Sequence, residues 1–411
     1  MRTPALPRRA ALLAAAALPF AGAAAAQSAR PDGGRIDRVL AGFVADGRVA
    51  GASALIWQDG RERYFGAHGF ADREAGRGMA RGTLAHIYSM TKPVTGVALM
   101  QLWEQGRFGL DDPLALHLPE FADVQVLEKG QTGALVRRPP ARPITVRDIL
   151  RHTAGFSYGS GDAPADAAWR ADDPFMASAN LTEFSRRVAA LPLVFDPGAE
   201  WRYSAAVDIQ SALIERLSGM AFETYVARNV FQPLGMAKTG WRAAEGATPA
   251  TIYSPGPGGG LVPQPRPVFR FASGGAGLIS TLDDYMRFAR MLLGEGSLDG
   301  TRILKPSTVR LMATDHLDPR ITERLFLPSK GSVGFGIDFA VRTAQPRSPD
   351  ENRGAVGEFF WDGYATTLFW VDPANRLAAV FFVQKTPFDG TLHRDFRAAV
   401  YGPDYLGPKG D

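Results

Sequence analysis

Apolar residues recur at helical spacing from Ile36 to Val44 (Ile36, Val39, Leu40, Phe43, Val44), which predicts an amphipathic helix. The period then changes. Gly51 to Trp57 and Arg63 to Gly69 read as two strands joined by the polar turn Gln58-Asp59-Gly60, a hairpin signal. Helical spacing returns from Ser89 to Gln105, with Val94, Val97, Ala98, Met100, Leu102 and Trp103 apolar and Gly106 where a C-terminal cap belongs. Pro93 places the start of this helix, because a residue without an amide hydrogen is harmless only in a first turn, where amides have no intrahelical acceptor. Ser89 therefore sits at or near the helix N-terminus.

The middle of the chain mixes short helical patterns (Val146 to Leu150, Leu181 to Ala190, Ala205 to Leu217) with long Gly/Pro/Asp-rich loops at Gly155 to Asp166 and Ser254 to Pro267. After Gly274 a helix is predicted over Leu282 to Leu293, then strands over Val333 to Phe339, Tyr364 to Val371 and Leu377 to Gln384, and a last helix near Asp395 to Tyr401. Strands near both chain ends with a helical stretch between them imply an α/β fold in two lobes. An antiparallel sheet flanked by helices is built from residues 30–110 and 271–405, and a mainly helical lobe, 111–270, is inserted into it.

Composition narrows the class. The chain of 411 residues is 45% hydrophobic, enough for a large core, and its 21% charged residues are interspersed without long runs of one sign. That excludes a nucleic-acid arm. Residues 1–26 carry Arg2, Arg8 and Arg9, an apolar run from Ala10 to Phe20 and Ala24-Ala25-Ala26, the three-part layout of a secretory signal. Arg8-Arg9 also suits a twin-arginine export signal, so a periplasmic or secreted protein without a stable membrane anchor is expected. Losing those three arginines from 46 basic residues leaves the mature chain nearly neutral against 42 acidic ones. There is no cysteine, hence no disulfide and no thiolate metal site, and the six histidines form no metal-spaced pair, so neither metal nor cofactor is expected.

Ser89 and Lys92, three apart, share one helix face. An ammonium near its ordinary pKa is no base at neutral pH, but burial and the positive helix terminus both favour its neutral form, which can take the Ser89 proton during attack on a carbonyl carbon. With its flanks, Tyr88-Ser89-Met90-Thr91-Lys92-Pro93 resembles the active-site segment of the serine β-lactamase-related hydrolases, which include class C β-lactamases, D-alanyl-D-alanine carboxypeptidases and family VIII carboxylesterases. The resemblance extends through Ile149-Leu150-Arg151-His152-Thr153-Ala154-Gly155-Phe156, through Asp196-Pro197-Gly198 with Trp201, Tyr203-Ser204 and Asp208, through Gly274-Gly275-Ala276-Gly277-Leu278, and through Gly334-Phe335-Gly336. It implies the β-lactamase-like fold, Tyr203 as a catalytic partner that shares the proton with Lys92, and a closing strand at Trp361-Asp362-Gly363-Tyr364. In that reading Gly363 allows close approach to the substrate, and the amides of Ser89 and Tyr364 form the oxyanion hole.

Two departures separate this chain from the lactamases it resembles. Ala205 stands where they carry an asparagine two residues after the tyrosine, and Trp361 where they carry a lysine that meets a carboxylate. An uncharged pocket lined by Trp361, Gly363 and Ala205 suits a neutral small-molecule acyl ester, so a carboxylesterase on short acyl esters is expected. A β-lactamase, a D-aminoacyl peptidase or an acyltransferase acting on an ester or amide is the enzymatic alternative, and a penicillin-binding-like sensor or cell-wall-binding protein the non-enzymatic one. Three decoys are set aside. Gly155-Phe156-Ser157-Tyr158-Gly159 has the Gly-x-Ser-x-Gly spacing but lies in a loop, Lys385-Thr386 ends a surface strand, and His152 reads as a structural hydrogen-bonding residue.

Overall fold

The computed structural model describes residues 29–405 apart from Pro349 and Pro403, so the expected export signal lies outside the described residues. Eight strands form its main sheet: β1 (Gly51–Gln58), β2 (Arg61–Asp72), β3 (Arg77–Gly78), β4 (Val333–Phe335), β5 (Ala340–Arg342), β6 (Phe359–Asp362), β7 (Leu368–Asp372) and β8 (Leu377–Val383). Their spatial order is β4-β5-β6-β7-β8-β1-β2-β3, and every neighbouring pair is antiparallel. The chain ends meet in the middle, where Ala54 of β1 lies opposite Phe381 of β8.

β8 is an unbroken apolar run because both of its faces are covered. Phe381 packs against Phe43 of α1 (Gly33–Ala45) and stacks on Phe396 of the C-terminal helix Gly390–Tyr401. On the other face Phe369 of β7, paired with Val380, meets Tyr285 and Phe288 of the helix Leu282–Leu293. The helix that begins just after Ser89 is α2 (Thr91–Glu104), and the helix after Tyr203 is α3 (Ala206–Ser218), which packs on it. Between Leu114 and Leu234 lie mostly helices, whereas Thr251 and Tyr253 already hydrogen-bond back to Ala71 and Gln384 beside the sheet.

Local differences from the sequence expectation have physical causes. Val333 to Phe339 is not one strand but the start of a hairpin, turned by Asp338 at φ +62° and closed by Gly336 N–H on the Phe339 carbonyl at 2.9 Å. Residues 363–367 form a turn before β7, with Thr366 at φ +65°. The final helix begins earlier, at Gly390, because Asp389 caps it through Thr391 N–H at 3.0 Å. Within the expected loops, Pro164–Asp172 is a helix, and Tyr253–Pro255 pairs with Leu261–Pro263 as a ribbon.

Candidate active site

Ser89 lies in a single 3-10 turn, Tyr88–Met90, that leads into α2. Tyr88 takes φ +44°, a left-handed conformation costly for an aromatic residue, and is held there by the Thr91 hydroxyl, which donates to its carbonyl at 2.6 Å. The bend leaves Ser89 half-buried at the helix mouth while every residue from Met90 to Met100 is buried. The predicted helix start is thus borne out with one refinement: Ser89 precedes the α-helix by two residues.

Lys92 is wholly buried. Its Nζ donates to Ser89 Oγ at 3.2 Å and to the Gly275 carbonyl at 2.6 Å, both neutral acceptors. Burial pushes its pKa down to about 8, against the opposing pull of the Asp208, Asp338 and Asp362 carboxylates. The Tyr203 ring centroid is 4.5 Å from Nζ and that of Tyr158 is 5.7 Å. Burial holds the Tyr203 phenol well above its usual range, although hydrogen bonds with Ser89 and Trp361 oppose the shift. The structure thus gathers Ser89, Lys92 and Tyr203 into one hydrogen-bonded cluster.

Gly363 belongs beside it for a steric reason. A Cβ there would sit 2.3 Å from the carbonyl oxygen of Ile87, two residues before Ser89, so only glycine lets this turn approach the Ser89 segment. Gly363 therefore serves the approach of protein to protein. Tyr364 follows, exposed, its ring edge-on to Tyr88 at 5.9 Å. Trp361 and Ala205 do not line an open pocket as expected. Ala205 is 0% exposed beneath the start of α3, and Trp361 is 1% exposed with its indole N–H donating to the Tyr203 hydroxyl at 3.1 Å. Trp361 sits on the Tyr203 side of β6 and is spent in orienting that phenol. The aromatic surface near the cluster comes instead from Tyr158, which lies 5.6 Å from Tyr203 and 5.7 Å from Phe175.

The decoys are engaged elsewhere. Ser157 donates to the buried Asp166 carboxylate and accepts from Gly159 N–H at 2.8 Å, and Lys385 pairs with Asp389 at 2.6 Å. His152, at φ +59°, accepts the Ser204 amide on Nδ1 at 3.3 Å, and burial keeps it neutral.

Comparison with known proteins gives the family. The family profile described as Beta-lactamase matches residues 36–402. The chain belongs to the beta-lactamase family. Protein Rv1367c of Mycobacterium tuberculosis is 36% identical over 374 residues, covering 87% of this chain and 90% of the relative. Esterase EstB of Burkholderia gladioli is 33% identical over 285 residues, covering 62% and 68%. Among solved structures, EstCE1, a hydrolase with promiscuous acyltransferase activity, superposes with a TM-score of 0.76 at 28% identity, covering 90% of this chain and 98% of its own. This beta-lactamase-family chain is a serine hydrolase of the esterase and acyltransferase kind. Sequence reasoning missed the group that holds Lys92, the Gly275 carbonyl. A backbone oxygen leaves no side-chain signature, and the Gly274-Gly275 pair was its one outward sign.

Proposed function

We propose that this protein is a carboxylesterase that acts on neutral acyl esters through an acyl-enzyme on Ser89. One observation carries the reading: a fully buried Lys92 amine, its pKa lowered to about 8, sits 3.2 Å from a half-buried serine hydroxyl with neutral groups as its hydrogen-bond partners.

Neutral Lys92 takes the Ser89 proton as Oγ bonds to the ester carbonyl carbon, and the amides of Ser89 and Tyr364 hold the oxyanion. The tetrahedral species collapses, the carbon–oxygen bond to the alcohol breaks, and the proton passes from Lys92 through Tyr203 to the departing oxygen. Water then attacks the acyl-enzyme with the same groups in reverse order, releasing the acid. An alcohol in place of water would yield a new ester, the acyltransferase alternative, and the promiscuous acyltransferase activity of EstCE1 favours keeping it. Ala205 offers no side-chain amide to a β-lactam's amide group and the buried Trp361 no cation to its carboxylate, which supports an ester over a lactam.

The test is hydrolysis of a nitrophenyl ester series beside a chromogenic cephalosporin. Wild type is expected to cleave the esters at least 100-fold faster than the cephalosporin, and Ser89→Ala to lose about 10³-fold or more in kcat/KM. An unchanged Ser89→Ala rate sinks the nucleophile, and a preference for the cephalosporin sinks the esterase. We also propose export across the inner membrane on the strength of residues 1–26, which a mature N-terminus at Gln27 would support and a cytoplasmic full-length chain would refute.

A further inference from the structure

Behind Lys92 lie two carboxyl groups that the proton path above does not use. Asp208 on α3 and Asp338 in the β4–β5 turn are both wholly buried, and both act on Lys92 through space. They are held in different ways. Asp208 Oδ1 accepts from the Ser273 hydroxyl at 2.7 Å and from Gly275 N–H at 3.2 Å. Asp338 Oδ1 accepts from the Gln210 side-chain amide at 2.9 Å. Burial raises the pKa of both, opposed at Asp208 by its donors and the Lys92 charge, and at Asp338, where the rise is larger, by the one amide and the Lys92 charge. A buried carboxyl with more donors keeps its charge more firmly than one with fewer.

Gly275 joins Asp208 to Lys92. Its N–H is on Asp208 and its carbonyl accepts Lys92 Nζ at 2.6 Å. A Cβ on this residue would lie 2.4 Å from Asp208 Oδ2, so the turn can press onto the carboxylate only because a glycine stands there. The remaining charged and titratable groups around Lys92 are otherwise committed. Asp362 on β6 is paired with the Lys330 ammonium, burial keeps His152 neutral, and burial keeps the Tyr158 and Tyr203 phenols un-ionised.

We infer that Asp208 is the positioning residue of Lys92: it fixes the Gly275 carbonyl that holds the amine and supplies the larger counter-charge in this cluster, whereas Asp338, held by a single donor, supplies less. The inference rests on Lys92 being the base, but its measurement does not need turnover. Asp208 must then work against the burial of Lys92, keeping its pKa from falling further. That sign makes the role testable, since a purely structural Asp208 would affect stability and plateau rate without moving the Lys92 titration.

The experiment follows Lys92 by NMR in protein labelled with ¹³C at the lysine side chains, its resonance assigned by its loss in Lys92→Ala. Asp208→Asn retains an oxygen to accept from Ser273 and Gly275 while removing the charge. It is expected to lower the Lys92 midpoint by about one pH unit or more. The acid limb of Ser89-dependent ester hydrolysis should move the same way, and Asp338→Asn should move both by less. An unmoved midpoint in Asp208→Asn, or an equal shift in Asp338→Asn, overturns the assignment. If wild type cleaves no ester, the esterase reading falls while the NMR titration still decides this one. Should Asp208→Asn fail to fold, Asp208→Ser removes the same charge with a smaller polar side chain and is expected to shift the midpoint in the same direction; no shift there overturns the proposal equally.

Discussion

Among the clusters of buried charge in the described residues, two are built on opposite plans. Beneath the C-terminal helix, the Glu358 carboxylate receives Arg342 at 2.9 Å and Arg397 at 2.8 Å, with all three side chains 0% exposed. Tyr401 donates to Asp372 at 2.7 Å, and the Arg397 guanidinium lies against the rings of Phe360 and Trp370, at 4.6 and 4.5 Å from their centroids. Direct ion pairs at this depth cement the helix to β5, β6 and β7. Around Lys92 the hydrogen-bond partners are a hydroxyl and a carbonyl, and its nearby carboxylates bond to other groups. A directly paired charge is held in one protonation state, and an amine left among neutral partners is free to change its own.

The largest effect that would separate the two clusters is kinetic. Lys92→Ala is expected to cost about 10²–10⁴-fold in kcat per folded molecule on a nitrophenyl ester, because the amine that takes the Ser89 proton is lost. Retained activity would show that Lys92 is not the base. In wild type the same rate should fall as pH drops below about 8, where Lys92 becomes charged.

At the other cluster the effect is expected in stability. Glu358→Gln leaves two buried guanidiniums without their carboxylate, and removing one partner of a buried ion pair typically costs about 3–5 kcal/mol. Urea unfolding of this variant should show that loss, with kcat/KM per folded molecule close to wild type. A stability within about 1 kcal/mol of wild type would mean that the pairs only balance their own desolvation.

The clusters also differ in how far they can be read from sequence. Ser89, Lys92 and Tyr203 were legible because their chemistry demands those residue types in family blocks that survive intact, and Pro93 places the helix start. The sheet from both chain ends was legible because β1, β2 and β8 carry period-two or continuous apolar runs. What failed depended on which way a side chain points once strands pair. Trp361 reads equally well as a pocket wall or as a buried donor to Tyr203, and only the register of β6 decides. The β4–β5 hairpin was hidden inside one apolar run because its turn rests on the backbone of Asp338. The Glu358 cluster joins residues 342, 358, 372, 397 and 401, with no motif to announce it.

The smallest expected effect concerns pH and lies within the structural cluster. Asp372 accepts from Asn375 and Tyr401, yet its pKa is pushed up to about 6 by burial and by the Glu358 charge beside it. A folded pKa above the unfolded value means that this group favours the native state most fully below the unfolded pKa, near 4, and that the contribution is lost as pH rises through about 6. The buried His86, His152 and His393 act the other way, since their lowered pKa values mean stability is lost as pH falls from the unfolded histidine range. Wild type should therefore lose stability between pH 7.5 and 5, but less steeply than Asp372→Asn, which has no carboxyl to relieve. The two urea-midpoint curves are expected to diverge by the equivalent of about 1.4 kcal/mol by the acid end. Parallel curves would show that Asp372 is ionised throughout, and that the structural cluster holds both of its carboxylates charged as firmly as it holds its guanidiniums.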